Sequence, residues 1–566
     1  MAFANSLFSS PFPIVPSHNI QDMTASSKSV TFKQILSNSF KLQVARPPNK
    51  DYIIRHQEKL NEVSQVLRNT QNQLDCMIMI DTLQQFAIDY HFQEEIQDVL
   101  RRQYRSLVSD GGIFTVANDN NLCNVSLCFR LLRQNGYPVS SDVFKTYMDK
   151  HGKFRQQLAN DLSGMTSLYQ ASHLGMAGED ILDRAYAFTG KYLRDSMPHV
   201  GPDQACVITD TLDHPYHMTL TRFNVKNCIK YQERESRTCG FLLQELAKMD
   251  FNIVQSLHNS ELLQVLSWWE DLGLTGELKF ARDQPVKWYM WSVATLADPR
   301  YTAERIDLTK SISLIYIMDD IFDVYGTLDQ LVLFTEAINR WEVDEQLPYP
   351  MKIFLKGLYD ITDEISYKIL KKHGWNPNNS LRKAWARLCN AFLVEVKWFA
   401  SGHMPTSEEY LKNGVISSGV HVLCSHIFFL MGQGINDGSV DLLDNVPGLV
   451  SYPATILRLW DDLGSAKDEN QEGNDASYID YYMKEHSSST IDSAREHVFN
   501  IISNTWKKLN EEAFSPGPFS LSFRNASLNA ARMVRLMYNY DGNQRLPILE
   551  KLIKSLLYER IALDDN

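Results

Sequence analysis

Two acidic runs, Asp319-Asp320-Ile321-Phe322-Asp323 and Asp461-Asp462-Leu463-Gly464-Ser465-Ala466-Lys467-Asp468-Glu469, each close an apolar stretch of helical spacing. Ile312, Leu314, Ile315, Tyr316, Ile317 and Met318 lead into the first; Ile456, Leu457, Leu459 and Trp460 lead into the second. Carboxylates at the end of buried apolar segments are costly unless something cationic neutralises them. Every donor in the two runs is an oxygen, with no Cys or His among them, which points to a hard cation such as Mg²⁺. Residues four apart on an α-helix share a face. Asp319 and Asp323 are therefore expected to point the same way, with Asp320 to the side. Asp461, Ser465 and Glu469 form a carboxylate–hydroxyl–carboxylate stripe two turns long, suited to chelating one ion. The first run alone reads equally well as an exposed acidic helix end; the second is the more specific pattern.

Clustered divalent ions draw phosphate oxygens, so basic partners are expected. Arg458 shares a helix face with Asp461, and Arg282 precedes the first run in Phe280-Ala281-Arg282-Asp283-Gln284. Both can hold a diphosphate by forked hydrogen bonds. A net charge of -12 argues against nucleic acid or an anionic membrane as the main partner.

A chain of 566 residues exceeds one ordinary core, so two domains are expected. Helical periodicity dominates from about residue 50, at Asp51–Arg68, Met77–Leu100, Val125–Gln134 and Asp180–Leu193, with no sustained strand alternation. In the second half the pattern predicts helices over Leu242–Leu257, Ser260–Glu270, Pro285–Leu296, Leu308–Asp320, Leu328–Trp341, Pro350–His373, Leu381–Ser401, Val450–Asp461 and Ile491–Leu509. The fold class is all-α. The polar, basic stretch 213–240 suggests a boundary, giving a polar N-terminal segment 1–31, a first helical domain 32–235 and a second 236–566. Residues 1–31 lack the apolar core of a secretory signal and read as a mobile N-terminus, with a short plastid-transit segment as the alternative. Residues 413–436 carry no charged side chain, yet contain Ser, His, Gln and Gly. They are expected to form a buried core helix, not a membrane span. Eight scattered cysteines without a CxxC pair suggest free thiols in a reducing compartment.

The two acidic runs occur together with Leu278-Lys279-Phe280-Ala281-Arg282-Asp283, Ser267-Trp268-Trp269-Glu270-Asp271-Leu272, Lys397-Trp398-Phe399 and Pro405-Thr406-Ser407-Glu408-Glu409-Tyr410-Leu411. The first half adds Ile80-Asp81-Thr82-Leu83-Gln84, Ile88-Asp89-Tyr90-His91-Phe92 and Leu168-Tyr169-Gln170-Ala171-Ser172. With these segments the chain, from about residue 40, resembles a plant class I terpene synthase. The resemblance implies a relictual N-terminal helical barrel and a C-terminal helical bundle that carries the catalytic site. It implies three Mg²⁺ ions, with Mn²⁺ as a substitute: two at Asp319 and Asp323, the third at Asp461, Ser465 and Glu469. Arg282 and Arg458 would hold the diphosphate, and Asp320 matches the family's middle aspartate, which is less often a direct ligand.

Two departures from the family pattern resemble the branch that makes acyclic alcohols, the linalool and nerolidol synthases. Ala45-Arg46-Pro47-Pro48 lacks the tandem Arg and Trp of cyclising relatives, and the usual Arg-x-Arg becomes Arg282-Asp283-Gln284. The loop at Tyr538-Asn539-Tyr540-Asp541-Gly542 also reads one residue shorter than the common form. The expected reaction is ionisation of geranyl or farnesyl diphosphate and capture of the allylic cation by water. Trp268, Trp269, Tyr316, Phe399, Tyr538 and Tyr540 are the aromatic candidates for the cation's pocket, and the Ser417-Ser418-Gly419 break is a candidate for carbonyls aimed at it. Cyclising or olefin-forming synthases, a chain-elongating prenyltransferase and a non-catalytic helical binding protein are the alternatives. The Ser465/Glu469 form of the second motif argues against elongation. A monomer in the cytosol, or alternatively the plastid, is the expected setting.

Overall fold

The computed structural model describes residues 49–109, 121–234, 240–465, 476–538 and 546–563. These are helices and short connectors, with one isolated antiparallel bridge, Met148 to Phe154, in place of any strand. Residues 1–31 lie outside the described residues, as does the Arg46-Pro47-Pro48 segment.

Side-chain caps fix many of the helix starts. Asn49, Asn72, Asn121, Thr406 and Thr490 each accept a backbone N–H of the following first turn. The expected Met77–Leu100 helix is two, Gln73–Gln85 and Gln93–Ser109. Ala87 interrupts them with a φ of 53°, and Asp89–His91 form a 3₁₀ turn. Conversely, Leu242–Leu257 and Ser260–Glu270 are one helix of 33 residues, Gly240–Leu272. Its polar residues mark tertiary contacts and not an end: Asn252, Gln255 and Asn259 donate to the carbonyls of Ile561, Leu556 and Leu557.

This long helix is the spine of the molecule. Asp250 on it is 1% exposed and accepts from Tyr90 Oη at 2.6 Å, His91 Nε2 at 2.9 Å and Arg222 at 3.4 Å, all from the first half. About three turns further on, Glu261 meets Arg305 in a fork of 2.8 and 2.6 Å with both side chains fully buried, and Tyr289 Oη donates to the same carboxylate at 2.7 Å. Burial works against the charge on Glu261, but the Arg305 and His258 bonds outweigh it and hold its carboxyl down to about 2. The ties fix the helix against Pro285–Thr295 and Thr302–Asp320, which carry one wall of the site.

The uncharged stretch is two helices, Ser407–Ser417 and Val420–Met431, parted at Ser418-Gly419, where Gly419 has a φ of 72°. Its length and hydropathy match a membrane span, but 83% of its most apolar window is buried within the protein. Every residue of Val420–Met431 is buried. His421 Nε2 faces the Ala384 carbonyl at 2.9 Å and His426 Nδ1 the Val422 carbonyl at 2.8 Å. Burial, only partly offset by these carbonyls, pushes both imidazoles down to about 4. Both are therefore neutral in the folded protein at pH 5, whereas the unfolded chain takes up their protons below about pH 6.5. The stability they allow is complete above pH 6.5 and is lost as pH falls toward about 4. Each is expected to remove about 2 kcal/mol between pH 7 and pH 5. Urea-unfolding midpoints measured across that range should fall, and His426→Gln should flatten the slope.

Candidate active site

The first acidic run ends the Thr302–Asp320 helix, and the chain then widens into a π turn over Ile321–Tyr325. This corrects the expectation of a continuous α-helix: a π turn closes i to i+5, so Asp323 is rotated away from simple i+4 alignment with Asp319. Tyr325 stacks on Phe280 with centroids 4.3 Å apart, which docks the Arg282 segment against the run. Asp320 is 5% exposed; it accepts the Arg282 backbone N–H at 2.7 Å and forms an ion pair with the guanidinium, whose Nε lies 2.7 Å from the carboxylate. Asp319 accepts from the same guanidinium. Burial opposes the charge on Arg282, but Asp319 and Asp320 hold its pKa above the usual value.

The second run ends the Gly448–Ser465 helix. Its two leading aspartates have separate jobs. Asp461 lies 3.8 Å from Arg458. Asp462 turns the other way, accepting Tyr410 Oη at 3.0 Å and the Tyr478 N–H at 2.9 Å. Burial pushes its carboxyl up to about 7 against the pull of Arg458. The Ser465 side chain and Glu469 lie outside the described residues.

The two edges face each other. Asp461 is raised by burial and then by the charge of Asp319, with Arg458, Lys287 and Arg282 opposing. Glu395, from the Asn378–Ser401 helix, is likewise raised by burial and by Asp319, against Arg458. It accepts from Ser417 Oγ at 2.7 Å and Asn413 Nδ2 at 3.0 Å, and Ser417 Oγ in turn accepts from Arg458 at 2.9 Å. Arg458 is thereby fastened to the helix break. It crosses the Ser407–Ser417 helix at Gly414, where an added Cβ would lie 2.9 Å from Arg458 Cγ and 3.0 Å from its Nε. Gly419, at the break itself, leaves room for Ile315, one turn before Asp319.

Carboxylates repelling one another from separate helices, with only oxygen donors and guanidinium groups around them, fit hard divalent ions. Asp319, Asp323 and Asp461 are the described residues that could hold them. Mg²⁺ is typically held by one or two carboxylates plus substrate phosphates, so a full protein cage is not required of them. Among the described residues, the ligand-type side chains with donors within 4.8 Å of one another are His56, His91 and Asp250. There Tyr90 and Arg222 already occupy the carboxylate. A separate cavity of about 380 Å³ lies at the seam of the two halves, lined in part by Tyr216, Arg222, Arg300 and Arg532. It holds neither acidic run, and the facing carboxylates are the better guide to the chemistry.

Residues 29–210 match the terpene synthase N-terminal domain, and residues 270–508 the metal-binding domain of the terpene synthase family. The chain belongs to the terpene synthase family. Probable terpene synthase 4 of Ricinus communis is 51% identical over 90% of this chain and 91% of its own. An (E)-nerolidol synthase of Cannabis sativa is 48% identical (88% and 92%), and a chloroplastic S-(+)-linalool synthase of Arabidopsis thaliana 44% identical (89% and 88%). Isoprene synthase from grey poplar, solved with three Mg²⁺ ions and dimethylallyl-S-thiolodiphosphate, superposes with a TM-score of 0.84 at 34% identity over 91% of this chain and 98% of that one.

In this terpene synthase the aromatic candidates divide. Tyr316 lines the site, its ring 5.1 Å from the Arg282 guanidinium and its hydroxyl accepting Trp291 Nε1 at 3.1 Å. Trp269 lies a layer behind, its ring 5.0 Å from Trp288 and its Nε1 donating to Asp283. Trp268 lies under Lys310, away from the acidic edges. Phe399 is 62% exposed and leaves the list. Tyr538 follows the Leu521–Met537 helix, and Tyr540 lies outside the described residues. Sequence reading missed Glu395, Lys287, Trp288, Trp291 and Gly414. Their partners include residues far along the chain, Arg458 for Glu395 and Gly414 and Asp461 for Lys287, and no local spacing marks them.

Proposed function

We propose that this terpene synthase ionises an allylic prenyl diphosphate, geranyl or farnesyl, and captures the cation with water to give the acyclic tertiary alcohol linalool or nerolidol. The observation that carries the reading is the pair of carboxylate-bearing helix ends facing each other, with Arg282 paired to one and Arg458 carried on the other. Asp319 and Asp323 would hold two Mg²⁺ ions, and Asp461, Ser465 and Glu469 the third. Bound there, the ions would supply Lewis-acid stabilisation of the leaving diphosphate's charge. Arg458 presents a guanidinium already oriented by Ser417 and Asp461, so its forked donors need little reorganisation. Tyr316, with Trp288 and Trp291 behind it, supplies π faces for the allylic cation.

The alcohol product is supported by the Arg46-Pro47-Pro48 and Arg282-Asp283-Gln284 departures and by the names of the nerolidol and linalool relatives. The chloroplastic relative favours the plastid over the cytosol expected from the N-terminal segment. The proposal keeps the division into 32–235 and 236–566 and a monomeric enzyme, with Mn²⁺ as a substitute ion.

Incubation with each diphosphate, with Mg²⁺ or with a chelator, followed by chiral gas chromatography, tests the reading. Linalool or nerolidol made only with the metal supports it. Cyclised hydrocarbons would replace the product assignment, and longer prenyl diphosphates the whole class. Arg458→Lys keeps a charge but loses the fork, and kcat/KM is expected to fall about 100-fold. Unchanged kinetics would remove Arg458 from the clamp.

A further inference from the structure

We propose that Lys287 is a direct diphosphate contact, a second cation beside Arg282 on the wall formed by Tyr316; this rests on the function proposed above and adds a residue to its site. Lys287 stands in the first turn of the Pro285–Thr295 helix, which Pro285 opens. Its Nζ lies 6.0 Å from the centre of the Tyr316 ring, and the Arg282 guanidinium carbon lies 5.1 Å from the same point. Two like charges thus gather on one aromatic ring, in a region where burial already disfavours an ammonium. An exposed lysine at a helix start has four methylenes with which to reach water. This one is held inward, where Arg282 repels it and Asp461, from the opposite edge, attracts it.

A multiply charged anion that enters between the two edges meets both cations on this wall. Arg282 is already engaged by Asp319 and Asp320, and Gln284, one turn before Lys287, is uncharged. Lys287 therefore adds to this wall a compact positive charge on a different helix from Arg458. A point charge with three rotatable donors suits the oxygens of a diphosphate without requiring a fork.

Calorimetric titration of inorganic diphosphate in the presence of Mg²⁺ reads this contact apart from turnover. Lys287→Gln is expected to weaken diphosphate binding about tenfold and to raise KM for the prenyl diphosphate by a similar factor, and Lys287→Arg to restore most of both. Lys287→Met provides the same comparison if the Gln variant does not fold. Wild-type affinity for diphosphate in the Gln or Met variant overturns the assignment while leaving the proposed function standing. Equal loss in the Gln and Arg variants also overturns it, because it marks a packing role. A wild-type enzyme that binds no diphosphate sinks the function itself and the assignment with it.

Discussion

Asp319→Ala is expected to lower product formation by about 10³-fold or more with helix content and thermal midpoint nearly unchanged. The side chain is a third exposed, so its removal opens no cavity in the core. It takes away a carboxylate that no neighbour replaces: Asp320 is turned toward the Arg282 backbone N–H and guanidinium, and Asp323 sits within the π turn. Circular dichroism beside the chromatographic assay separates loss of chemistry from loss of fold. Asp462→Ala is the matched control one motif away. It removes the acceptor of Tyr410 and of the Tyr478 N–H, so its first effect should be on stability. If Asp319→Ala turns over normally, the first acidic run is a structural helix end and the metal assignment fails there.

Glu261→Ala is expected to be the most damaging single change to the fold. It strands the Arg305 guanidinium at 0% exposure and leaves Tyr289 Oη without its acceptor. Breaking a buried pair from one side costs about 3–5 kcal/mol. Replacing both partners with apolar groups, Glu261→Leu with Arg305→Met, is expected to cost less than the single change, since no charge remains stranded. A chain of this length need not unfold in one step, so the comparison belongs on denaturation midpoints of the variants measured side by side. If the single variant matches wild type, water or another carboxylate serves Arg305.

The parts of the molecule legible in sequence are those whose physics is local. Apolar periodicity located most of the helices, and the two acidic runs announced themselves because their carboxylates cluster within a few residues. Legibility failed where distant chain decides local structure. His258, Asn259 and Ser260 look like a helix end until Tyr289 and the carbonyl of Leu557 are seen to meet the first two. The π turn after Asp320 ends at Tyr325, which stacks on Phe280, 45 positions earlier in the chain. Glu395 joins the site through Ser417, Asn413 and Arg458, none of which its own neighbourhood suggests. Phe399 failed in the opposite sense: its aromatic ring made it a candidate for the pocket, but its helix turns it to solvent.

The bare hydrogen at Gly414 has a consequence for how such an enzyme is surveyed. The guanidinium of Arg458 rests where matter has been left out, so the position is sensitive to addition and silent to subtraction. Truncation scans, which trim side chains to a methyl and pass over glycines, would score it as blank. Only a survey that enlarges residues would find it, and there even the smallest step, a single methyl group, should register.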